Sequence, residues 1–308
     1  MNRRWDVLGI GVVCVDDLLY LDHFPHPNEK IHIQSRRRQG GGLTGTAIVA
    51  AARQGAKAAY CGRLGSDELS QYSLKELERE GVDTSPTQLN TEYTPSYSVI
   101  LVDTSCGSRA ILSDVSGIKE PDLALITDDL ILSSRVLFID YLSHQAGIQA
   151  AGIARAHGIP VVADLEPASL GLSERDLFLS LVDHLIVGIE FAGALTQKQN
   201  VEEMVRQIAN PQRAACVVTA GANGCWYSES GGEVRHFPAY QVNVVDTTGC
   251  GDVFHGTYAA ALARGESVSR AVQVASASAA LKATFPGGRE GIPGLTAVED
   301  FIKTHPGP

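Results

Sequence analysis

The chain has 308 residues, 44% of them hydrophobic, and carries a formal net charge of -10 at pH 7. This length allows a large buried core, and the acidic balance argues against nucleic acid as a partner, because phosphate binding calls for a basic face. Six scattered cysteines without a C-x-x-C pair are typical of reduced thiols and favour a cytoplasmic protein. No apolar run is long enough to cross a membrane, and Asp6 interrupts the N-terminal stretch that resembles a signal peptide.

The first apolar run, residues 7–15, predicts a buried strand that ends at Asp16 and Asp17. Side chains at the C-terminal ends of strands in open α/β sheets face the ligand crevice. Asp16 is therefore a candidate for binding hydroxyl groups, with a turn or surface aspartate as an equal alternative. Residues 30–38 alternate loosely and are very polar, which predicts a strand exposed on one face.

A glycine-rich turn at residues 39–46 leads into a predicted helix over residues 47–54. Its backbone amides could bind an anion or lie close to a flat ligand such as a sugar ring, although glycine clusters also simply make tight turns. It is not a Walker A loop, since no Lys-Ser/Thr pair follows. Gly9 and Gly11 are not followed by the third glycine that a dinucleotide fingerprint requires.

Two short β-type runs, residues 97–102 and 109–113, flank a polar loop and predict a hairpin. Together with residues 30–38 they predict a small antiparallel sheet, built from about residues 15–38 and 95–115, that would act as a lid. From residue 136 onward, short apolar runs alternate with helix-like runs. This alternation predicts βαβ units and a mostly parallel sheet. We find no interdomain linker, so residues 1–308 are expected to form a single domain.

The sequence DTTGCGD, residues 246–252, follows a β-like run at residues 240–245 and opens a predicted helix over residues 253–264. A glycine-bearing turn at a helix start suits an anion. A carboxylate at Asp252 would repel a bound phosphate unless it accepts a proton or holds a metal. The interpretation that resolves this conflict is an aspartate that takes a proton from a hydroxyl while the turn binds the incoming phosphoryl group. The alternative is an acidic cap on an ordinary helix.

With these residues, the chain resembles the ribokinase-like, pfkB-type sugar kinases over nearly its whole length. Gly41 and Gly42, with the helix after them and GRLGSD at residues 62–67, carry the first part of the resemblance. The second and more specific part is DTTGCGD followed by Phe254 and Gly256. The sequences DVFHG, residues 252–256, and PGGREGIP, residues 286–293, are most similar to the branch that contains bacterial sulfofructose kinases.

The resemblance implies a three-layer α/β/α fold with a mostly parallel central sheet and a small antiparallel β lid. It also implies ATP-dependent phosphorylation of a sugar-type hydroxyl, with Mg2+ accompanying ATP. By this pattern Asp252 is the general base, and the backbone amides of Gly249, Cys250 and Gly251 form the anion hole. Asp16, Gly41 and Gly42 would hold the sugar.

At the nucleotide end, Thr219, Gly221 and Gly224 match the family's nucleotide-loop positions. Asp246 and Thr248 match positions that in many members help to coordinate a monovalent cation such as K+, and Thr248 also borders the nucleotide. Glu190 matches the second half of an Asn-x-x-Glu motif and could hold Mg2+ through water, with a helix-start glutamate as an equal alternative.

Several residues depart from the pattern or extend it. Thr46 stands where many members have a sugar-binding Asn, and Leu43 replaces a residue that is polar or basic in ribokinases, which argues against ribose. Cys250 replaces the usual alanine, and a thiol there could make the enzyme sensitive to oxidation. Lys30 and Arg109 could reach an anionic group of the substrate from the lid, although surface charge is the simpler interpretation.

Two further residues near these motifs have open roles. Arg289 could contact a phosphate or stabilise its own loop. His255 lies on the helix that carries Asp252 and is interpreted as a packed or capping histidine.

We also keep two other functions open, a nucleoside kinase of the same fold and a non-catalytic regulator that binds a sugar or nucleotide. Lid sheets in this family often pair between subunits, so a homodimer is expected.

Overall fold

The computed structural model describes residues 3–106, 108–165 and 172–305. Its strands are β1 (Trp5–Ile10), β2 (Cys14–Leu21), β3 (Ser35–Gly41), β4 (Ala58–Cys61), β5 (Arg63–Leu64), β6 (Gln88–Leu89), β7 (Ser96–Asp103), β8 (Arg109–Asp114), β9 (Ser134–Asp140), β10 (Val161–Asp164), β11 (His184–Gly188), β12 (Ala215–Thr219), β13 (Cys225–Glu229) and β14 (Arg235–Phe237). Its α-helices are α1 (Leu43–Arg53), α2 (Glu68–Arg79), α3 (Asp128–Leu132), α4 (His144–Ala156), α5 (Leu172–Leu181), α6 (Ile189–Thr196), α7 (Val201–Ile208), α8 (Cys250–Ala263), α9 (Val268–Ala283) and α10 (Leu295–Thr304).

The main sheet has the strand order β14-β13-β12-β11-β10-β9-β1-β4. The strands from β4 to β12 in that order pair in parallel, whereas β13 and β14 add an antiparallel edge. The prediction of a mostly parallel sheet is therefore confirmed. The chain leaves β1 toward β4 on one side and later builds β9 to β12 on the other. This reversal puts a topological switch point between β1 and β9, where α/β folds bind their ligands.

Two hydrophobic clusters cover the two faces of this sheet. Alternate side chains of β9 divide between them, because successive residues of a strand point to opposite faces. Val136 and Phe138 join the cluster with α1, α8 and α9, and Leu137 and Ile139 join the cluster with α4, α5 and α7. The result is the three-layer α/β/α arrangement.

A second sheet stands apart from the first and has the strand order β3-β2-β7-β8; we call it the lid sheet. It confirms the prediction of a separate small sheet, but it differs in two respects. Its central pair, β2 and β7, is parallel, and only the outer pairs are antiparallel. Strand β3 begins at Ser35 and ends at Gly41, and helix α1 begins at Leu43, so the predicted glycine turn at residues 39–46 is divided between the end of a strand and the start of a helix.

The prediction of one strand over residues 7–15 is wrong. The main-sheet strand β1 ends at Ile10, and the chain then crosses to the lid sheet as β2. Hydrophobicity does not reveal the break, because Val13, Val15 and Leu18 are as buried on the lid side as Leu8 is in the main sheet. Asp16 thus lies inside a lid strand and not at the end of a main-sheet strand.

The β-like run at residues 240–245 is not a strand either. Val244 and Val245 are largely exposed, and the amide of Val245 donates to the carbonyl of Ala283 at the end of α9. Helix α8 begins at Cys250, so DTTGCGD itself supplies the first helical turn. In the part of the chain that the structure describes, no helix has the length and apolarity needed to cross a bilayer.

Candidate active site

A cavity of about 300 Å³ lies between the lid sheet and the C-terminal edge of the main sheet. The lid sheet lines it with Asp16, Gly41, Ser96, Ser98, Ile100, Ile111 and Ser113. The start of α1 and the segments around the start of α8 add Gly42, Leu43, Thr46, Thr248, Gly249, Asp252 and Gly288. Asp16 and Asp252, which the sequence assigned to the sugar and the phosphoryl group, therefore share one cavity. None of its described lining residues is a lysine, arginine or histidine.

The turn before α8 is shaped by Gly249, which caps the helix with φ 75°. A side chain at this position would also press on the carbonyl of Gly288, 2.7 Å from where its Cβ would lie. Asp252 follows in the first turn of the helix and lines the cavity. It is not the N-cap, so the alternative of an ordinary capping aspartate is wrong.

The three amides assigned to the anion hole differ in availability. The amide of Cys250 donates to the carbonyl of Thr247 at 3.2 Å and is therefore already used within the turn. Among the described residues, no protein acceptor is bonded to the amides of Gly249 and Gly251. The first amides of a helix lack intrahelical partners and suit an anion. Burial raises the pKa of the Cys250 thiol, which argues against the predicted sensitivity to oxidation.

Asp246 organises the same turn through both carboxylate oxygens. Oδ1 accepts hydrogen bonds from the amide and the hydroxyl of Thr248, at 2.8 and 2.7 Å, and Oδ2 accepts one from the amide of Gly287 at 2.8 Å. Burial opposes ionisation of Asp246, but these hydrogen bonds and the nearby Lys282 outweigh it and lower its pKa. Arg109 of the lid sheet also reaches Oδ1, at 2.7 Å.

The sugar side of the cavity is built around Asp16, which is 9% exposed. Burial raises its pKa, while a hydrogen bond from the thiol of Cys14, 3.1 Å away, opposes that shift. Gly41 lies against the Asp16 carboxylate, so a side chain there would collide with it. Gly42 has φ 87°, and a Cβ atom on it would meet the backbone of Val13 and Cys14.

Arg289 supports this glycine segment from behind. It is 7% exposed, and its guanidinium donates to the carbonyl of Gly41 at 2.6 Å and to the hydroxyl of Thr46 at 3.4 Å. Of its two predicted roles, these contacts favour the loop-stabilising one. Thr46 lines the cavity, but its hydroxyl is already engaged by Arg289.

Two predicted substrate contacts are not brought to the cavity wall. Lys30 is exposed and outside the residues that line it. Arg109 reaches the turn at residues 246–252, but its guanidinium is paired with Asp246 and hydrogen-bonded to Thr248.

The predicted nucleotide residues follow the C-terminal end of β12. Thr219 is the last residue of that strand, and Gly221 begins a short 3-10 turn that ends before Gly224. Glu190 lies exposed in the first turn of α6, which follows the neighbouring strand β11. Within the described ranges, no three or more His, Cys, Asp or Glu side chains cluster to hold a metal ion. A single carboxylate fits Mg2+, because this ion usually keeps several waters and binds mainly through substrate phosphates.

His255 is buried and packed, as expected, and it does not line the cavity. Its ring nitrogens lie 2.8 Å from the carbonyl of Gly251 and 3.0 Å from that of Ile186.

The sequence interpretation missed Asp140, which is fully buried at the end of β9. Its Oδ2 accepts hydrogen bonds from the amide of Val12 and the hydroxyl of Thr44, each at 2.8 Å. The end-of-strand rule that we applied to Asp16 would have found Asp140.

Lys282 was also missed, although a lysine in the Ala-rich helix α9 is a visible signal. It is completely buried, and its Nζ donates to the carbonyl of Asp246 at 2.9 Å. Burial lowers its pKa, and the charges of Asp246 and Asp252 oppose that shift.

A three-layer fold with a separate lid sheet, and a carboxylate beside unbonded helix-start amides, define a phosphotransferase with an alcohol group as acceptor. The chain belongs to the pfkB family of carbohydrate kinases, whose family model matches residues 10–294. It is similar to a ribokinase of Haemophilus influenzae, with 27% identity over 307 residues, 96% of this chain and 97% of the relative. It is also 22% identical to a 5-dehydro-2-deoxygluconokinase of Shouchella clausii, over 98% of this chain and 97% of the relative.

Solved structures agree on the fold. A putative ribokinase from Agrobacterium tumefaciens superposes with a TM-score of 0.88 and 28% identity, covering 98% of each chain. A putative ribokinase II from E. coli, solved in complex with ATP and Mg2+, superposes with a TM-score of 0.81 at 20% identity, over 97% of this chain and 99% of that one. The family assignment is thereby confirmed, whereas the relatives named here are not sulfofructose kinases.

Proposed function

We propose that this protein transfers the γ-phosphoryl group of ATP to a hydroxyl of a neutral monosaccharide. The observation that carries this proposal is the cavity shared by Asp16, Gly41 and Gly42 on one side and by Gly249 and Asp252 on the other. Its volume of about 300 Å³ is at the small end of the range for small-molecule sites, which suits one sugar unit.

In the proposed reaction, Asp252 accepts the proton of the sugar hydroxyl as that oxygen attacks the γ-phosphorus. The bond between the γ-phosphorus and the bridging oxygen breaks, and ADP leaves with that electron pair. The amides of Gly249 and Gly251 would stabilise the charge on the transferring group, a contribution of roughly 3–4 kcal/mol for each such donor. Most of the catalysis in phosphoryl transfer is of this kind, positioning and charge stabilisation.

We place the nucleotide along the segment from Thr219 to Gly224, beside the start of α8. The largely exposed Val244, Val245 and Phe285 provide apolar surface for the adenine base near the turn at residues 246–252. Glu190 would hold the Mg2+ that accompanies ATP through a water molecule. This ion would neutralise phosphate charge.

The charge of the cavity supports a neutral sugar over an acidic or sulfonated one. Its described ionisable lining residues are two carboxylates, Asp16 and Asp252, together with the thiol of Cys14 and the hydroxyl of Tyr141, and each of them can carry only a negative charge. An anionic substituent would meet these carboxylates without a cationic partner, because Arg109 is paired with Asp246 and Arg289 lies behind Gly41. Serine hydroxyls on the lid sheet and aliphatic side chains provide partners for sugar hydroxyls and C–H faces.

The two other functions have less support. A nucleoside acceptor would be favoured by aromatic side chains on the lid sheet. The lid sheet carries Tyr20 and Tyr97, but both lie outside the cavity lining, and Tyr97 donates to Asp17 at 2.8 Å. A non-catalytic regulator would not need a carboxylate beside unbonded amides in the substrate cavity.

We also propose a homodimer that forms through the lid sheet.

The decisive experiment is a panel of neutral, carboxylated, phosphorylated and sulfonated sugars, together with nucleosides, assayed for ADP release in the presence of Mg2+. We expect sugar-dependent ADP release with at least one neutral monosaccharide and little with the anionic sugars. Preferred turnover of a sulfonated sugar would contradict the neutral-substrate proposal. ATP binding without ADP release for any acceptor would favour the regulator.

The base assignment has its own test, Asp252→Asn. This variant should bind ATP and sugar normally and have a kcat lower by about 10²–10⁴-fold, the usual contribution of a positioned general base. Asp300→Asn, which alters an exposed surface aspartate of α10, is the matched control and should keep the wild-type rate. Near-normal turnover by Asp252→Asn would refute the assignment.

A further inference from the structure

Lys282 is fully buried in the last turn of α9. An ammonium group is costly to bury unless opposite charge or hydrogen-bond acceptors surround it. Its Nζ donates to the backbone carbonyl of Asp246 at 2.9 Å. The preceding turn of the same helix also contacts the site, because the thiol of Cys250 lies 3.5 Å from the carbonyl of Ala279. Helix α9 therefore presents a positive charge directly to the turn that is proposed to receive the phosphoryl group.

The oxygens predicted to coordinate a monovalent cation are occupied by this chain's own donors. Oδ1 of Asp246 accepts from Thr248 twice and from Arg109, and Oδ2 accepts from the amide of Gly287. The hydroxyl of Thr248 itself donates a hydrogen bond to Asp246 and accepts one from Arg109. Because a hard cation binds through oxygen lone pairs, Asp246 and Thr248 do not fit the predicted K+ site.

The charges around the turn lead to the same result. Asp246 and Asp252 contribute two negative charges, and Arg109 and Lys282 contribute two positive ones within interacting distance of Asp246. A further cation would make the turn electropositive before any nucleotide arrives. It would also have to compete with an ammonium group that already sits on the carbonyl of Asp246.

We propose that the ammonium group of Lys282 takes the place of a monovalent cation beneath the turn at residues 246–252, so that this enzyme works without K+. The proposal rests on the kinase function proposed above. Lys282 is a positioning residue, since it acts through the carbonyl of Asp246 and keeps the amides of Gly249 and Gly251 aimed at the incoming phosphoryl group.

The first test compares wild-type protein in KCl and in tetramethylammonium chloride, both at about 0.1 M so that screening is matched. A ligand that binds the native state raises the melting temperature, so the Tm reports cation binding without any kinase assay. We expect the same Tm in both salts and, with an accepted sugar, kcat values that agree within about twofold. A saturable rise of the Tm with K+, or a tenfold activation, would overturn the proposal.

The second test replaces Lys282 with Met, which keeps the length of the side chain and removes the charge. With the sugar KM changed less than about threefold, kcat should fall by about 10–100-fold, because the loss affects the transition state more than substrate binding. Lys303→Met, on the exposed face of α10, is the control and should keep wild-type kcat. A wild-type kcat for Lys282→Met would overturn the positioning role.

If Lys282→Met does not fold, Lys282→Arg replaces it as the variant that keeps the charge, and we expect it to be active without K+. A requirement of Lys282→Arg for K+ would overturn the proposal. Should no sugar be phosphorylated, the proposed kinase function fails, whereas the comparison of Tm values still decides the question of the cation.

Discussion

Two glycines of this chain share a left-handed backbone but differ in what surrounds them. Gly42 has φ 87° and Gly55 has φ 82°. A Cβ atom on Gly42 would lie 2.6 Å from the Cα of Val13, whereas no atom lies within 4 Å of a Cβ placed on Gly55. The pair therefore separates the cost of the backbone conformation from the cost of the collision at the sugar site.

We expect Gly55→Ala to lower the free energy of unfolding by about 1–2 kcal/mol, the cost of a left-handed non-glycine residue. Gly42→Ala should cost at least about 2 kcal/mol more, because backbone atoms cannot move aside as a flexible side chain can. Urea denaturation of both variants measures the difference. Equal shifts of the two midpoints would show that the segment around Gly42 relaxes freely.

At the level of single residues, the sequence identified the groups whose chemistry conflicts with their surroundings. Asp252 was found because a carboxylate is out of place beside an anion-binding turn, and it does line the cavity. Lys282 and Asp140 carry visible local signals, a lysine in an Ala-rich helix and an aspartate at a strand end, but their partners lie far away in sequence. Lys282 contacts Asp246 across 36 positions, and Asp140 contacts Val12 across 128. No local pattern encodes contacts of this length.

The elements were predicted best in the lid hairpin, where two short β-type runs flank a polar loop. The strands β7 and β8 were expected almost at their observed bounds. The chain's crossing from the main sheet to the lid sheet after Ile10 was not, since β1 and β2 are both apolar and a hydrophobicity pattern cannot tell which sheet a strand joins. The parallel pairing of β2 with β7 was missed for the same reason.

The lid sheet leaves β8 as an edge strand that pairs only with β7 among the described strands. Leu112, near its centre, is 58% exposed, and its neighbour Ile111 is 56% exposed. An apolar edge strand is a template for pairing with another chain, and charged side chains prevent such pairing. This arrangement supports the proposed homodimer through the lid.

We expect the wild-type protein to sediment as a dimer at micromolar concentration and Leu112→Glu to sediment as a monomer. Leu89→Glu is the matched control, because Leu89 is 61% exposed on β6, outside the lid sheet. It should leave the dimer intact. A monomeric wild-type protein, or dissociation by both variants alike, would contradict a dimer formed through the lid.

One buried carboxylate, that of Asp140, links separate segments of the chain at the switch point. Asp140 joins three segments, because it accepts hydrogen bonds from Val12 after β1, from Thr44 of α1 and from Leu142 after β9. Burial raises its pKa from 3.8 to about 6, although these hydrogen bonds oppose the shift. Between these two values the folded protein holds a proton that the unfolded chain has already released.

Proton linkage then fixes how stability depends on pH. The contribution of Asp140 is fully present below about pH 4 and is lost as the pH rises through about 6, since ionising a buried carboxylate costs free energy. A shift of about two units corresponds to a loss of about 3 kcal/mol. Above that range the contribution of this group should be constant.

The measurement is urea denaturation of wild-type protein and of Asp140→Asn across this pH range. The asparagine loses acceptor strength at every pH, so the variant is less stable throughout, but it has no carboxyl group to titrate. The stability advantage of wild type over the variant should therefore shrink by up to about 3 kcal/mol between about pH 4 and pH 6.5. Asp300→Asn, measured in parallel, accounts for the loss of one surface carboxylate. An advantage that stays constant or grows with pH would mean that Asp140 is ionised in the folded protein throughout. Its three hydrogen bonds would then outweigh the cost of its burial.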